Sequence, residues 1–256
     1  MLEGLYDGAL EDARKRESLE PLGEVIARAQ GAPAVRDVSN LVPRDQVHSI
    51  AEIKRRSPSK GELASITDPV ALAHAYERGG ASVISVLTEE RRFGGSLADL
   101  EAVSQAVSIP VLRKDFIANE YQIVEARAHG ADLVLLIMAG LSDDIVARLL
   151  EITHHWGMEA LVETHSEAEL VRAVDLGARI IGVNARDLTT FELDEGLFGR
   201  VQHLIPESVL KVAESAVVNS QDVTRYREQG AHAVLVGEAL VTGSDPEQTV
   251  KEFVAA

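Results

Sequence analysis

Residues 130–137 read Gly-Ala-Asp-Leu-Val-Leu-Leu-Ile, a Gly-Ala pair that runs into an unbroken aliphatic stretch. The arrangement recurs at Gly80-Ala81 before Ser82 to Leu87, at Gly177-Ala178 before Ile180 to Val183, and at Gly230-Ala231 before Ala233 to Val236. Successive copies stand 50, 47 and 53 residues apart. That is about twice the length of a strand-helix unit, so another strand and helix must lie between copies. Four further runs rich in Val, Ile and Leu supply those strands: Ser49 to Ile53, Ile109 to Leu112, Ala160 to Val162 and Leu210 to Ala213. Continuous hydrophobicity of this kind marks strands buried on both faces, as in a parallel sheet. Apolar residues between the runs fall at helical spacing, for example Leu72, Ala75 and Tyr76, or Ile145, Leu149, Leu150 and Ile152. Gly79, Gly157, Gly177 and Gly230 stand where those helices should end. Eight alternations of strand and helix predict an α/β chain folded as a (β/α)8 TIM barrel, here assigned to residues 46–256.

The first 45 residues lie outside the repeat. Leu2, Leu5, Leu10 and Ala13 make one face of a short helix, with Asp12, Arg14, Lys15 and Arg16 exposed. Residues 1–45 therefore read as an N-terminal helical extension packed on the barrel, not as a second domain.

Composition narrows the function. The chain of 256 residues is 46% hydrophobic, enough for a full core and too much for a disordered chain. No apolar run approaches the ~20 residues of a membrane span, and the N-terminus is charged where a secretory signal would be apolar. A soluble cytoplasmic protein is the expectation. The absence of cysteine excludes disulfides, zinc-thiolate and iron-sulfur sites and a thiol nucleophile. A net charge of -16 argues against nucleic acid or an anionic membrane as partner. An anionic small molecule fits if its site is locally positive.

In a barrel of this kind the C-terminal strand ends build the active site. Polar residues there are Glu52, Lys54 and Ser57 after the first strand, Arg113, Lys114 and Asp115 after the third, and Glu163 after the fifth. The sixth, seventh and eighth strands give Asn184 and Arg186, Glu214 and Ser215, and Gly237 and Glu238. Any one of these charges alone would most simply be a solvated loop residue. Converging on one mouth, they form an acid/base constellation with a positive lining for anions. Barrels of this class often hold phosphate after strands seven and eight. Gly237-Glu238-Ala239-Leu240-Val241 reads as a Gly-led turn entering one helical turn, whose backbone N–H groups could receive it. Phe93 and Phe116 could wall an aromatic ring or simply be core. The Glu89 to Arg92 run reads as a mobile charged loop. His154-His155 lacks the His-Glu-x-x-His spacing of a zinc helix, and His165, although a possible metal ligand, has no second ligand cluster. No metal and no cofactor are expected.

At these residues the chain resembles the indole-3-glycerol phosphate synthases of tryptophan biosynthesis. The matching stretches are residues 51–59 (Ala-Glu-Ile-Lys-Arg-Arg-Ser-Pro-Ser), 88–96 (Thr-Glu-Glu-Arg-Arg-Phe-Gly-Gly-Ser), 112–116 (Leu-Arg-Lys-Asp-Phe), 182–188 (Gly-Val-Asn-Ala-Arg-Asp-Leu) and 213–215 (Ala-Glu-Ser). They follow the family's order over roughly residues 48–245. The resemblance implies a carboxy-lyase acting on a phosphorylated aryl-amino sugar, 1-(2-carboxyphenylamino)-1-deoxyribulose 5-phosphate, by general acid/base catalysis, with other tryptophan-pathway enzymes as candidate protein partners. It implies Lys114 as general acid, Glu163 as base or electrostatic partner of the anilinium charge, and Lys54 beside Glu52 as carboxylate binder. Asn184, Glu214 and Arg186 would orient substrate hydroxyls and the lysines. Ser57, Ser215, Gly237 and Glu238 would hold the phosphate. One position departs from the family: Ala216 stands where glycine usually follows the Glu-Ser pair. If the backbone there has positive φ, alanine costs about 1 kcal/mol or more. Two rivals are a Schiff-base aldolase using Lys54 or Lys114 and a non-catalytic barrel that binds a phosphate metabolite. The isomerase of the preceding step is disfavoured, since its family uses a catalytic cysteine.

Overall fold

The computed structural model describes residues 2–38, 41, 46–58, 60–188 and 190–256; Ser59 of the first matching stretch lies outside them. Eight parallel strands close into a barrel: β1 (His48–Ile53), β4 (Val83–Leu87), β5 (Val111–Lys114), β6 (Leu133–Ile137), β7 (Glu159–Thr164), β8 (Ile180–Asn184), β9 (Leu210–Glu214) and β10 (Ala233–Val236). The remaining two strands, β2 (Arg56–Ser57) and β3 (Gly61–Glu62), form a small antiparallel hairpin that follows β1. Helices α3 (Pro69–Gly79), α4 (Leu97–Ala106), α5 (Glu120–Ala128), α6 (Asp143–His155), α7 (Glu167–Asp175), α8 (Leu197–Val201), α9 (Ser220–Glu228), α10 (Glu238–Thr242) and α11 (Pro246–Val254) complete the barrel. The expected (β/α)8 architecture is present, and the barrel strands are almost wholly buried and mainly aliphatic, as strands covered on both faces must be.

Strand boundaries differ from the expectation in one instructive way. The third strand was expected over Ile109 to Leu112, yet it spans Val111–Lys114. Pro110 has no N–H to donate to a ladder, so regular pairing starts after it and runs on into charged residues. Glu52, Glu163, Asn184 and Glu214 likewise lie inside their strands rather than beyond them. Their side chains therefore have the positional precision of a sheet, not of a loop.

Helix ends follow the glycine pattern with one correction. Gly157, Gly177 and Gly230 adopt φ of 75°, 77° and 92°, the left-handed conformation that closes a helix. In the first copy the closing residue is Gly80 (φ 94°), not Gly79. Gly79 is instead the contact point with α11: a Cβ there would sit 2.7 Å from Val250 Cβ.

The N-terminal extension holds two helices where one short helix was expected, α1 (Leu2–Leu19) and α2 (Leu22–Gly31). The buried face of α1 is Leu5, Tyr6, Gly8, Ala9 and Ala13, while Leu2 and Leu10 are only half-buried. The face is rotated because Tyr6 reaches the barrel, packing edge-on against Phe116 with centroids 5.6 Å apart and donating to the Ile137 carbonyl at 3.4 Å. Arg16, expected exposed, is half-buried and donates to Glu125 at 2.6 and 2.9 Å. Among the described residues no helix is long and apolar enough to cross a membrane.

Candidate active site

Side chains of a TIM barrel fill its interior in layers of four, each layer drawn from alternate strands. Here the first, third, fifth and seventh barrel strands place Glu52, Lys114, Glu163 and Glu214 together at the C-terminal mouth. Lys114 Nζ lies 3.0 Å from Glu214, 3.4 Å from Glu52 and 3.8 Å from Glu163. Burial opposes the charge of this ammonium, but Glu214, Glu52 and Glu163 override it and hold its pKa well above the usual lysine range. Lys114 is thus cationic at rest. A Schiff-base nucleophile needs the neutral amine, so this environment counts against the aldolase rival at Lys114.

The three carboxylates are not equivalent. Burial and the neighbouring charge of Glu163 push Glu214 up despite Lys114. Glu163 is held down, because His165 and Lys114 outweigh its burial. Glu52 is also held below the carboxylate range: burial works against ionisation, but Lys114 and Lys54 prevail, the latter at 2.8 Å. Lys54, Lys114 and Arg186 thus gather at one mouth of an otherwise acidic protein.

Gly182, on the strand between those of Glu163 and Glu214, makes this layer possible. A Cβ at Gly182 would lie 2.0 Å from Glu214 Oε1. Asn184, two residues on, accepts from Ser215 Oγ at 2.7 Å and from the Arg186 backbone N–H at 3.0 Å. The guanidinium of Arg186 is anchored to the Phe191 carbonyl at 3.2 Å.

Two cavities meet at this layer. The larger, about 310 Å³, is lined by Lys54, Lys60, Lys114, Arg186, Ser215, Ala216, Gly237 and Glu238 among others. Its floor is shaped by strain: Ser215 and Ala216 take φ of 67° and 54°, so the anticipated cost of alanine at 216 is realised in the backbone. Tyr226 and Arg225 hold the turn by donating to the carbonyls of Ser215 and Ala216 at 3.4 and 3.2 Å. Gly237 stays free of a side chain because a Cβ would approach Glu52 Oε1 to 2.5 Å and Lys54 Nζ to 3.1 Å. The carboxylate of Glu238 would repel an anion here, and Lys60 pairs with it. Lys60 was missed in the sequence; its only signal is a basic residue three positions after Ser57 in the turn that follows the first strand.

The smaller cavity, about 130 Å³, is bordered by Leu5, Ser57, Phe93, Phe116, Leu188 and Phe191, together with Lys54, Lys114 and Glu163. Phe93 and Phe116 lie tilted to one another with centroids 6.1 Å apart and border this cavity, while Phe116 is also part of the hydrophobic core and Phe93 packs against it. Leu5, Leu188 and Phe191 complete this border and were not anticipated. The N-terminal extension therefore contributes to the site.

Two expectations need correction. Arg113 does not join the mouth: it is wholly buried and bonds Glu125, Asp115, Thr88 and the Gln122 carbonyl, because it alternates with the inward-facing Lys114, whereas Asp115 borders the smaller cavity. The Glu89 to Arg92 loop is pinned rather than loose, with Glu89 accepting the Arg92 and Phe93 N–H groups and Arg91 paired to Glu11 and Asp12 of α1. His165 has no nitrogen to spare for a metal, since both face carboxylates, Glu163 at 3.1 Å and Glu169 at 3.3 Å.

Comparison with known proteins agrees with this geometry. A model of the family described as "Indole-3-glycerol phosphate synthase" matches residues 2–253. An indole-3-glycerol phosphate synthase of Leifsonia xyli subsp. xyli is 59% identical over 255 residues, covering 99% of this chain and 97% of that protein. One from Parafrankia sp. is 54% identical, with 100% and 95% covered. Among solved structures, a 3-hexulose-6-phosphate synthase superposes with a TM-score of 0.63 at 17% identity, covering 82% of this chain and 98% of that one. An N-acetylmannosamine-6-phosphate 2-epimerase from Clostridium perfringens gives 0.63 at 16%, covering 88% and 99%. At such identities the two structures speak to the barrel fold alone.

Proposed function

The chain belongs to the indole-3-glycerol phosphate synthase family, and from that membership we propose how its residues divide the reaction. The enzyme closes the ring of 1-(2-carboxyphenylamino)-1-deoxyribulose 5-phosphate and releases carbon dioxide and water, giving indole-3-glycerol phosphate. The substrate's phosphate enters the larger cavity, against Ser215, Ala216 and Gly237 with Glu238 at its border, while Ser57 reaches it from the adjoining smaller cavity. The aryl ring enters the smaller one, between Phe93 and Phe116, and its carboxylate meets Lys54.

Lys114 then stands between the two ends of the substrate. As the carboxylate-bearing ring carbon attacks the ketose carbonyl, the carbonyl oxygen gathers negative charge, and Lys114 stabilises it and donates a proton. Loss of carbon dioxide returns the electrons of that bond to the ring and restores aromaticity. The new hydroxyl leaves as water after taking a proton, while a proton departs from the neighbouring carbon. Glu163, ionised, supports the positive charge on the nitrogen in these steps. Glu52, Asn184, Glu214 and Arg186 fix the lysines and the substrate hydroxyls. Work in the cytoplasm and contact with other enzymes of tryptophan synthesis belong to the same proposal.

The single observation carrying this reading is the Lys114 ammonium held by three carboxylates from three strands where the two cavities join. The test follows indole fluorescence after the protein is mixed with the carboxyphenylamino deoxyribulose phosphate. Lys114→Ala should lower kcat at least about 100-fold, the lower bound for a positioned acid, with a smaller change in KM. Near-parent kcat in that variant, or no indole from the parent protein, would overturn the assignment.

A further inference from the structure

His165 lies two residues beyond Glu163, outside the charged layer, and the steps above do not use it. Its side chain is only 7% exposed, and it sits at the start of α7, where Ser166 caps the helix by accepting the Glu169 N–H at 3.3 Å. Its own backbone N–H donates to Glu169 Oε2 at 2.8 Å, so the turn that carries the imidazole is fixed at both ends. One ring nitrogen faces Glu169 at 3.3 Å, and the other faces Glu163 Oε1 at 3.1 Å. The Nδ1 side makes a hydrogen bond with Glu169, while Nε2 stands at ion-pair distance from Glu163 without hydrogen-bond alignment, and an imidazole placed between two carboxylates is favoured as the cation.

The consequence falls on Glu163. Its Oε1 faces His165 at ion-pair distance, and its Oε2 is buried 3.8 Å from Lys114. Across the layer, Glu214 Oε1 is also buried, and Glu163 and Glu214 hydrogen-bond one another, as two carboxyls do only when a proton lies between them. Two carboxylates this close to a shared lysine compete for one proton, and something must decide between them.

We propose that His165 is a positioning residue which, as a cation braced by Glu169, holds Glu163 as the ionised member of the carboxyl pair and so assigns the shared proton to Glu214. The inference rests on the role given to Glu163 above and adds how that role is enforced. The charged groups facing this pair are Glu169 on α7, Lys114 on β5 and Glu214 on β9, with the Tyr6 hydroxyl of α1 nearby. Among them only His165 touches Glu163 without touching Glu214 or Lys114, so it alone breaks the symmetry of the two carboxylates. Its pKa is pushed up to about 10, since Glu163 and Glu169 outweigh its burial, which keeps the clamp charged across the working range.

The sign of the effect follows. Without the cation, Glu163 takes up a proton at higher pH, and the acid limb of kcat moves toward neutrality. An adjacent opposite charge shifts a carboxylate by about 1–3 units, so His165→Gln, which keeps a neutral donor, should displace that limb upward by about one unit or more. KM should change little, and activity should recover at high pH. Glu169→Gln should move the limb the same way by less. In the parent, 15N NMR should show both His165 ring nitrogens protonated at pH 8, a readout independent of turnover and of how the variants fold. A neutral His165 at pH 7, or a His165→Gln profile superimposed on the parent's, would overturn the inference. Glu163→Gln separates the two claims. If that variant keeps parent kcat, the role of Glu163 itself falls; if it is inactive while the His165→Gln profile stays in place, only the clamp falls.

Discussion

Gly182→Ala adds one methyl group to the barrel interior and should disable the enzyme while leaving the fold intact. The new Cβ would meet Glu214 Oε1 at 2.0 Å, Glu214 Cδ at 3.1 Å and Leu161 Cδ1 at 3.2 Å, whereas ordinary contacts begin at 3.4 Å. The carboxylate oxygen must therefore retreat by about 1.4 Å, the shortfall from a normal contact. It cannot do so by moving its backbone, which is paired on both sides in β9, and it is 1% exposed. The side chain must rotate instead, and its other oxygen is the one 3.0 Å from Lys114. A displacement of about 1 Å in a catalytic group costs on the order of 100-fold, so kcat should fall about that much. Overpacking of this kind costs about 1–3 kcal/mol of stability, which denaturant unfolding will register without loss of the folded state. Gly182 has no positive φ, so backbone strain is not the cause. A double-mutant cycle isolates the contact: in a Glu214→Ala background the added methyl should cost little more, because the colliding atoms are gone. Parent-like kcat for Gly182→Ala, or full additivity in the cycle, would refute the steric reasoning.

Ala216→Gly should lower KM for the phosphorylated substrate several-fold with kcat similar, since relief of about 1 kcal/mol at φ 54° acts at the phosphate end; steady-state kinetics giving unchanged or higher KM would show that the turn already accommodates alanine. Inorganic phosphate should inhibit competitively through the same cavity, and less so when Ser215 is replaced by a bulky residue; purely non-competitive inhibition would place the phosphate elsewhere. Away from the site, Glu125 is held below the carboxylate range, its burial outweighed by Arg113 and Arg16. A depressed folded pKa stabilises above the ordinary value near ~4.3 and loses that contribution as pH falls through the folded value. Unfolding free energy, measured in urea across pH 2–6, should therefore decline below about 4.3, with a shallower decline in Arg16→Met.

The barrel was legible because its evidence is local. A Gly-Ala pair before an aliphatic run, repeated at double the length of a strand-helix unit, reports the period of the chain itself, and buried parallel strands need no partner information to be recognised. The positions of Lys54, Lys114, Glu163 and Glu214 followed from the same period, since charges that interrupt apolar runs stand at strand ends. Ala216 could be flagged only through the resemblance, in which glycine usually follows the Glu-Ser pair, and its left-handed backbone agrees with that concern.

What the chain alone could not reveal depends on distance in space. Arg113 and Lys114 are adjacent and equally basic, yet the pleat sends one into an ion network behind the barrel and the other into the mouth. Lys60 and Glu238 stand 178 residues apart and meet over one cavity, while Arg91 ties its loop to a helix that the repeat does not contain. Three glutamates look alike in the sequence; closure of the barrel puts two lysines, one histidine and two glycines around them and separates their proton affinities. Strand period is a property of successive residues, whereas proton affinity belongs to whichever charges the closed sheet brings within a few ångströms.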